Sequence, residues 1–490
     1  MTELIRNYIA GQWQESESRA VFRSENPANE ALIGMAVESS EQDVAAAVAA
    51  AQAAFADWRA WPAPRRGELL YEVARILEER KEELSRLMTR EMGKVIVEAR
   101  GDVQEAIDMA YFMGGEGRRL NGYTAPVEMP NKFGMALRDP AGVVALITPW
   151  NFPCAVPSWK MLPALVAGNA VVWKPAEDVP AFSAAFTQVF ADAGLPAGVL
   201  NLVLGGGETG AALVRQPGVR VISFTGSTET GLQVYQTAAV LGKKVSLEMG
   251  GKNAIIVLDD ADFNLALEAV TWSAYGTSGQ RCTACSRLLV QKGIAPRFTA
   301  ALVERAKTLQ LGDGLHEDVQ IGPLVNGKAL EKVGRYMEVA REEGVTIAIG
   351  GQPAQRQAGH FFEPTVFTGV NRAMRVAQEE IFGPVLAVIE IEDLDEAIAI
   401  NNESIYGLSS SVFTTDVNAA FRAIRDLTTG IVYINHGTTG AEIQFPFGGT
   451  RGTGNGMREA GLTALDAFTE WKSVYVDYSG TLQRAQIDNR

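Results

Sequence analysis

The chain has 490 residues, enough for roughly three structural units at about 150 residues each. Hydrophobic residues make up 47% and charged residues 21%, the balance of a globular protein rather than a disordered one. The 58 acidic side chains against 44 basic ones leave a net charge of −14, which argues against a nucleic-acid or anionic-membrane partner.

Three cysteines exclude a disulfide scaffold and fit a reducing, cytoplasmic compartment. His316, His360 and His436 have no ligand spacing, so neither a histidine-built metal site nor a Ser-His-Asp triad is expected. Met1 to Trp13 lack the basic start and apolar core of a signal peptide. The longest apolar run, Ala141 to Ile147, falls far short of the ~20 residues that cross a bilayer.

In chain order, the first 40 residues read as short strands and turns. Residues 41–119 carry helical periodicity, with Ala45, Val48, Ala49, Gln52 and Phe55 on one stripe and Leu69, Val73, Ile76 and Leu77 on another. A Gly/Pro-punctuated stretch, 121–130, interrupts them. Strands then alternate with helices: 143–147, 170–173, 199–203 and 221–224 are apolar runs separated by helical patterns. This predicts βαβ units and a parallel sheet. A second strand series opens at 254–258 and continues near 287–290, 346–349, 385–389, 410–413 and 431–434, placing a change of unit near residue 250. The tail, 472–478, alternates like a half-buried strand whose partner is not readable, an intersubunit edge being one option.

Two glycine turns could receive a phosphate. Gly205-Gly-Gly207-Glu-Thr-Gly210 matches G-x-G-x-x-G after a strand, but no acidic residue is clearly placed to hold a ribose. The second turn, with Gly226, Ser227, Thr228 and Gly231, offers capping hydroxyls and a helix N-terminus, and fits a phosphate better. Lys174 and Glu177 follow the strand 170–173 and could hydrogen-bond a ribose diol; the carboxylate would repel a 2′-phosphate, favouring NAD over NADP. Cys282 lies among glycine and polar neighbours beside Arg281, which suits a partly exposed thiol held as thiolate. Glu248 ends an apolar strand before two glycines and reads as a general base. Asn151, between Trp150 and Phe152, reads as an oxyanion donor.

Thr148-Pro-Trp-Asn-Phe-Pro, Trp173-Lys-Pro-Ala-Glu, Phe224-Thr-Gly-Ser-Thr, Leu247-Glu-Met-Gly-Gly-Lys-Asn, Gly279-Gln-Arg-Cys-Thr, Glu380-Ile-Phe-Gly-Pro and Pro446-Phe-Gly-Gly appear in that order. Together they resemble the NAD(P)-dependent aldehyde dehydrogenase superfamily over roughly residues 7 to 478. The resemblance implies an α/β fold with a Rossmann-like cofactor domain (1–120 and 141–250, with 441–469 returning to it). It also implies a catalytic domain (251–440) and a β-flap (121–140 and 470–490) that joins subunits into homodimers or homotetramers. It assigns Cys282 as nucleophile, Glu248 as base and Asn151 as oxyanion donor. Thr148, Trp150, Lys174, Glu177, Gly226, Ser227, Gly231, Glu380 and Phe382 would bind the cofactor.

The implied reaction is oxidation of an aldehyde to the acid with NAD⁺, through a cysteine thiohemiacetal and thioester. Glu248 favours water over coenzyme A as acyl acceptor. The loop Gly437-Thr-Thr-Gly-Ala-Glu442 resembles the one that receives an α-carboxylate in aminoadipate semialdehyde dehydrogenases, which nominates Gly440, Ala441 and Arg281 as substrate contacts. The alternative is a simple aliphatic or aromatic aldehyde. An esterase or a catalytically silent binding protein fits the combined motifs less well.

Overall fold

The computed structural model describes residues 4–355, 358–484 and 487. Residues 485, 486 and 488–490 of the expected flap, and 1–3 of the expected cofactor domain, lie outside the described residues.

The periodic region 41–119 forms four helices, Glu41–Ala60, Ala63–Glu79, Lys81–Met92 and Ile96–Glu116. Local chemistry sets their ends. Ser40 and Asp43 close a capping box on the first helix, and Gly93, at φ +85°, stops the third in a left-handed conformation.

Five parallel strands follow, in the order Lys244–Glu248, Val219–Thr225, Val143–Thr148, Ala170–Pro175 and Leu200–Leu202. An antiparallel pair, Asn7–Ile9 and Gln12–Gln14, completes a seven-stranded sheet. The chain order of these strands reverses between Val143–Thr148 and Val219–Thr225, the kind of switch point where open α/β sheets leave a crevice at their carboxyl ends.

A second seven-stranded sheet runs Thr346–Ile349, Thr365–Thr368, Val385–Ile391, Cys285–Gln291, Asn253–Val257, Ser409–Phe413 and Ile431–Ile434. It is parallel except at its first strand. Only residues 249–252 separate the last-formed strand of one sheet from the first of the other. The carboxyl ends of the first sheet therefore meet the amino ends of the second, and the site lies at that junction. Central strands are buried on both faces, for example all six residues of Val143–Thr148, which explains their continuous apolar runs.

The tail strand, Thr469–Asp477, pairs antiparallel with Lys132–Pro140 of the same chain over nine residues, and Tyr123–Ala125 adds a third strand. This supplies the partner that alternation alone left open. Among the described residues no helix is long and apolar enough to cross a membrane.

Candidate active site

Cys282 sits at the amino end of strand Cys285–Gln291, on a loop held by contacts distant in sequence. The helix Phe263–Tyr275 ends in a short 3₁₀ turn, Gly276–Gly279, in which Thr277 and Ser278 adopt φ of +51° and +57°. Such left-handed non-glycine residues cost energy and need support. Glu98 supplies it: its carboxylate accepts from the Thr277 amide at 3.0 Å and the Thr277 hydroxyl at 2.6 Å. The Gln280 side chain is tied to Pro323 and Val325. Asn253 donates to the carbonyls of Cys282 (2.7 Å) and Ala284 (2.9 Å). Glycine is required at 251, where a Cβ would come within 2.5 Å of the Cys282 carbonyl oxygen.

Cys282 and Glu248 line one cavity of about 350 Å³, with Phe152, Trp159, Met249, Trp272 and Phe447 among its apolar walls. Glu248 ends its strand buried, with Oε2 accepting from the Gly449 amide at 3.3 Å and Oε1 without a partner. Burial, then the nearby charge of Glu459, push its carboxyl well above the usual range, against the pull of Lys160 and Arg458. Glu459 is itself buried against Lys160 and accepts from Thr225 at 3.0 Å. Asn151 is buried and donates one amide hydrogen to the Gln280 carbonyl at 3.0 Å, which fixes the amide beside the loop that carries Cys282 and leaves its other hydrogen available.

Two expectations about this cavity need correction. Cys282 is partly exposed, as its neighbours imply, but its surroundings do not favour the thiolate: desolvation, then the carboxylates of Glu248, Glu380 and Glu459, push the thiol up to about 12, opposed by the Thr283 amide. Nor does the Arg281 charge stand free for the sulfur. Arg281 lines the cavity, but its guanidinium pairs with Glu98 at 3.2 Å, accepts Trp272 and Phe152 as flanking rings, and bonds Thr277 at 3.0 Å. Adjacency in sequence gave no hint that this side chain turns back toward the helix Ile96–Glu116.

Gly440, at φ +104°, and Ala441 line the same cavity. Among the described residues their backbone N–H groups donate to no acceptor.

A second groove, about 490 Å³, opens at the carboxyl end of the first sheet, lined by Ile147, Lys174, Glu177, Gly207, Gly210, Thr230 and Val234 among others. Lys174 is buried with its ammonium 3.6 Å from a half-exposed Glu177 carboxylate. Burial lowers the lysine, and Glu177 opposes that shift. Ser227 caps the helix Thr228–Val240 by accepting from Thr230 at 3.3 Å. The Gly226 amide is taken by the Glu248 carbonyl at 3.1 Å. Among the described residues the Thr228 and Glu229 amides have no acceptor, so this helix start has donors open. Gly231 lies where a Cβ would meet Met249 Sδ at 2.4 Å.

The literal G-x-G-x-x-G turn differs. Glu38 accepts from the Gly206 amide at 2.9 Å and from Thr209 at 3.3 Å. A carboxylate of the chain thus occupies that helix start, where a phosphate would otherwise fit. Thr148 departs from expectation: its hydroxyl accepts from the Trp173 indole at 2.9 Å in the buried interior, and the neighbouring Ile147 lines the groove. Trp150 meets Phe382 edge-on at 5.8 Å, and Phe382 holds φ +60°. Glu380 is half-buried and accepts from the Gly251 amide at 2.9 Å.

Sequence reasoning missed Glu98, Glu459, Lys160 and Glu38. Each acts on a residue 168 to 299 positions away, so no local spacing signals it.

The model of the aldehyde dehydrogenase family matches residues 13–474, and the chain belongs to that family. Among its relatives, the α-ketoglutarate semialdehyde dehydrogenase of Haloferax volcanii is 43% identical, covering 98% of this chain and 100% of that one. The α-ketoglutaric semialdehyde dehydrogenase of Bacillus subtilis is 42% identical over 96% of this chain and 97% of its own. A solved structure of betaine aldehyde dehydrogenase from Staphylococcus aureus with NAD⁺ superposes with a TM-score of 0.95 at 36% identity, covering 98% of this chain and 95% of that one.

Proposed function

We propose that this aldehyde dehydrogenase oxidises a carboxylate-bearing semialdehyde to the diacid with NAD⁺, with Cys282 as nucleophile, Glu248 as base and Asn151 as oxyanion donor. The observation that carries the assignment of roles is the single cavity that Cys282 and Glu248 both line, with one Glu248 carboxylate oxygen left unpartnered. The two semialdehyde dehydrogenases above, and the open Gly440 and Ala441 amides, support the substrate class. A simple aliphatic or aromatic aldehyde is the second reading, favoured by the apolar walls at Phe152, Trp159 and Phe447.

The second groove fits a dinucleotide. Lys174 and Glu177 would hold a ribose diol, and the helix start after Ser227 would meet the pyrophosphate with open amides. Glu380, Phe382 and Trp150 would position the nicotinamide end. A bound nicotinamide supplies the oxidant, taking up the hydride from the thiohemiacetal carbon.

The chain's own residues do the rest. The Cys282 sulfur adds to the aldehyde carbon as the thiolate, the minor form of a thiol that its surroundings keep protonated at rest. The Asn151 amide stabilises the oxyanion, a donor worth ~3–4 kcal/mol in comparable sites. After oxidation leaves a thioester on Cys282, Glu248 takes a proton from the attacking water. Burial, and then the neighbouring Glu459, keep that carboxyl basic enough to do so.

The domain division at about residue 250 follows the two sheets, with the three-stranded flap as the joining element of a homo-oligomer. Its exposed Tyr123, Trp471 and Tyr475 support that part of the reading, and a cytoplasmic location accords with the free cysteines.

Glu248→Gln tests the roles. The first-turnover burst of NADH is expected to persist, while steady-state turnover falls by on the order of 10²–10⁴. Equal losses in burst and turnover would remove water activation as the chief duty of Glu248.

A further inference from the structure

The segment 322–326 has no part in the mechanism above, yet it is bonded to both halves of the site. Its side chains divide between two cores: Leu324 is buried with the apolar residues around the second sheet, and Val325 with the helices packed on the first. One end grips the loop that carries Cys282. The Ser278 hydroxyl donates to the Gly322 carbonyl at 2.7 Å, the Gln280 side-chain amide donates to the Pro323 carbonyl at 3.3 Å, and the Val325 N–H donates to Gln280 Oε1 at 3.0 Å. The other end reaches the cofactor half, where Asn326 Nδ2 donates to Asp178 Oδ1 at 2.8 Å. Asp178 follows Glu177 in the loop between the strand Ala170–Pro175 and the helix Pro180–Asp192.

Asn326 serves two elements at once. Its Oδ1 accepts from the Ala329 amide at 2.9 Å and caps the helix Gly327–Glu342, which orients the side chain and leaves its amide hydrogens for the carboxylate. Both Asp178 and Asn326 are half-buried, so their bond is partly shielded from water. Glu177 is held far more loosely. Its carboxylate is half-exposed and lies 3.6 Å from the Lys174 ammonium, an ion pair too long and too wet to fix it. The place of that carboxylate is therefore set by the backbone of its loop. Glu91 pins the helix end of the loop by accepting from the Ala181 and Phe182 amides at 2.8 and 2.6 Å. Asn326 ties the middle of it, through Asp178, to the catalytic half.

We infer that Asp178 and Asn326 are positioning residues that hold the Glu177 loop in register with the loop that carries Cys282, the segment 322–326 being the brace between them. The inference rests on the reading of Lys174 and Glu177 as the pair that holds a ribose of NAD⁺. A dinucleotide gripped at one end must present its other end to the reacting carbon within a short span, so the two loops need a fixed separation.

The test is isothermal titration of NAD⁺ into the enzyme without substrate, beside steady-state kinetics. Asn326→Ser keeps a capping hydroxyl for the Ala329 amide but is too short to reach Asp178. Asp178→Ala removes the acceptor, whereas Asp178→Asn keeps an acceptor oxygen and removes only the charge. Asn326→Ser and Asp178→Ala are each expected to raise the NAD⁺ dissociation constant roughly tenfold, and Asp178→Asn by no more than about threefold. KM for NAD⁺ is expected to rise in parallel with kcat little changed, because the lost interaction is made equally in ground and transition states. Alkylation of Cys282 by iodoacetamide is expected to keep its parent rate, since the Gln280 bonds remain, and a melting curve reports that each variant is folded. Unchanged affinity in Asn326→Ser and Asp178→Ala, with a loss in Glu177→Ala, would overturn the brace alone. Equal losses in Asp178→Asn and Asp178→Ala would assign the effect to charge and overturn the positioning role. A Cys282 alkylation rate that shifts together with NAD⁺ affinity would overturn it too, by showing a general loosening where the two sheets meet. Unchanged affinity in Glu177→Ala would overturn the ribose reading and this inference with it.

Discussion

Gly448→Ala isolates the positioning of Glu248 from its chemistry. Gly448 holds φ +151°, and a Cβ there would come within 2.3 Å of Glu248 Oε1 and 3.2 Å of its carboxyl carbon. Ordinary van der Waals contact begins near 3.4 Å, so the carboxyl must retreat by about 1 Å. It cannot retreat freely, because Oε2 is bonded to the Gly449 amide at 3.3 Å and Glu459 occupies the space beyond, paired with Lys160. A misplacement of that size costs on the order of 10²-fold when it moves a reacting group. The backbone adds ~1–3 kcal/mol of strain, since this region of φ belongs almost wholly to glycine.

The expected outcome is a steady-state kcat reduced by on the order of 10²-fold, with the NADH burst reduced far less and NAD⁺ affinity retained. Stopped-flow absorbance at 340 nm reads burst and turnover in one trace. A melting curve run alongside separates loss of fold from loss of geometry. A kcat within about threefold of the parent enzyme in a folded variant would refute the claim that the absent side chain at Gly448 makes room for the Glu248 carboxyl. It would also weaken the assignment of Glu248 itself.

Asn151→Ala removes the oxyanion donor and its bond to Gln280, and is expected to lower kcat by on the order of 10²–10³ in burst and turnover alike; a change confined to KM would exclude the role. Alkylation of Cys282 by iodoacetamide, in enzyme without substrate, is expected to rise about tenfold per pH unit from pH 7 to 9, because the thiolate is the minor form below a value near 12; a plateau below pH 8 would show a thiol far more acidic than its surroundings imply. Glu98→Gln leaves the buried Arg281 unpaired and loosens the strained turn at Thr277 and Ser278, which is expected to destabilise the fold by ~3–5 kcal/mol in a thermal or urea melt. Glu177→Ala removes the charge opposed to a 2′-phosphate and leaves Lys174 in place, so the preference for NAD⁺ over NADP⁺ is expected to narrow at least roughly tenfold in kcat/KM.

How much of this was legible in the sequence depended on distance along the chain. The helices of residues 41–116 and most strands of both sheets, Thr365–Thr368 excepted, follow from apolar periodicity and from caps such as Ser40, Gly93 and Ser227, all local signals. The residues proposed as nucleophile, base and oxyanion donor stand out because each lies within a short motif at the end of a strand or in a glycine turn. Their ionisation does not. Arg281 is next to Cys282 in sequence, yet its charge goes to Glu98, 183 residues earlier by their numbers. The charges nearest the sulfur instead belong to Glu248, Glu380 and Glu459, which arrive from three separate segments.

The same holds for the glycine turns. Both look able to grip a phosphate, and only the third dimension shows that Glu38 already fills the first while the start of the helix Thr228–Val240 keeps its amides open. A motif states which backbone shapes are available; the fold decides which of them are left vacant for a ligand. On that principle a literal G-x-G-x-x-G with an internal carboxylate at its helix start is a structural cap, which supports the proposal that the pyrophosphate binds at the Gly-Ser-Thr turn.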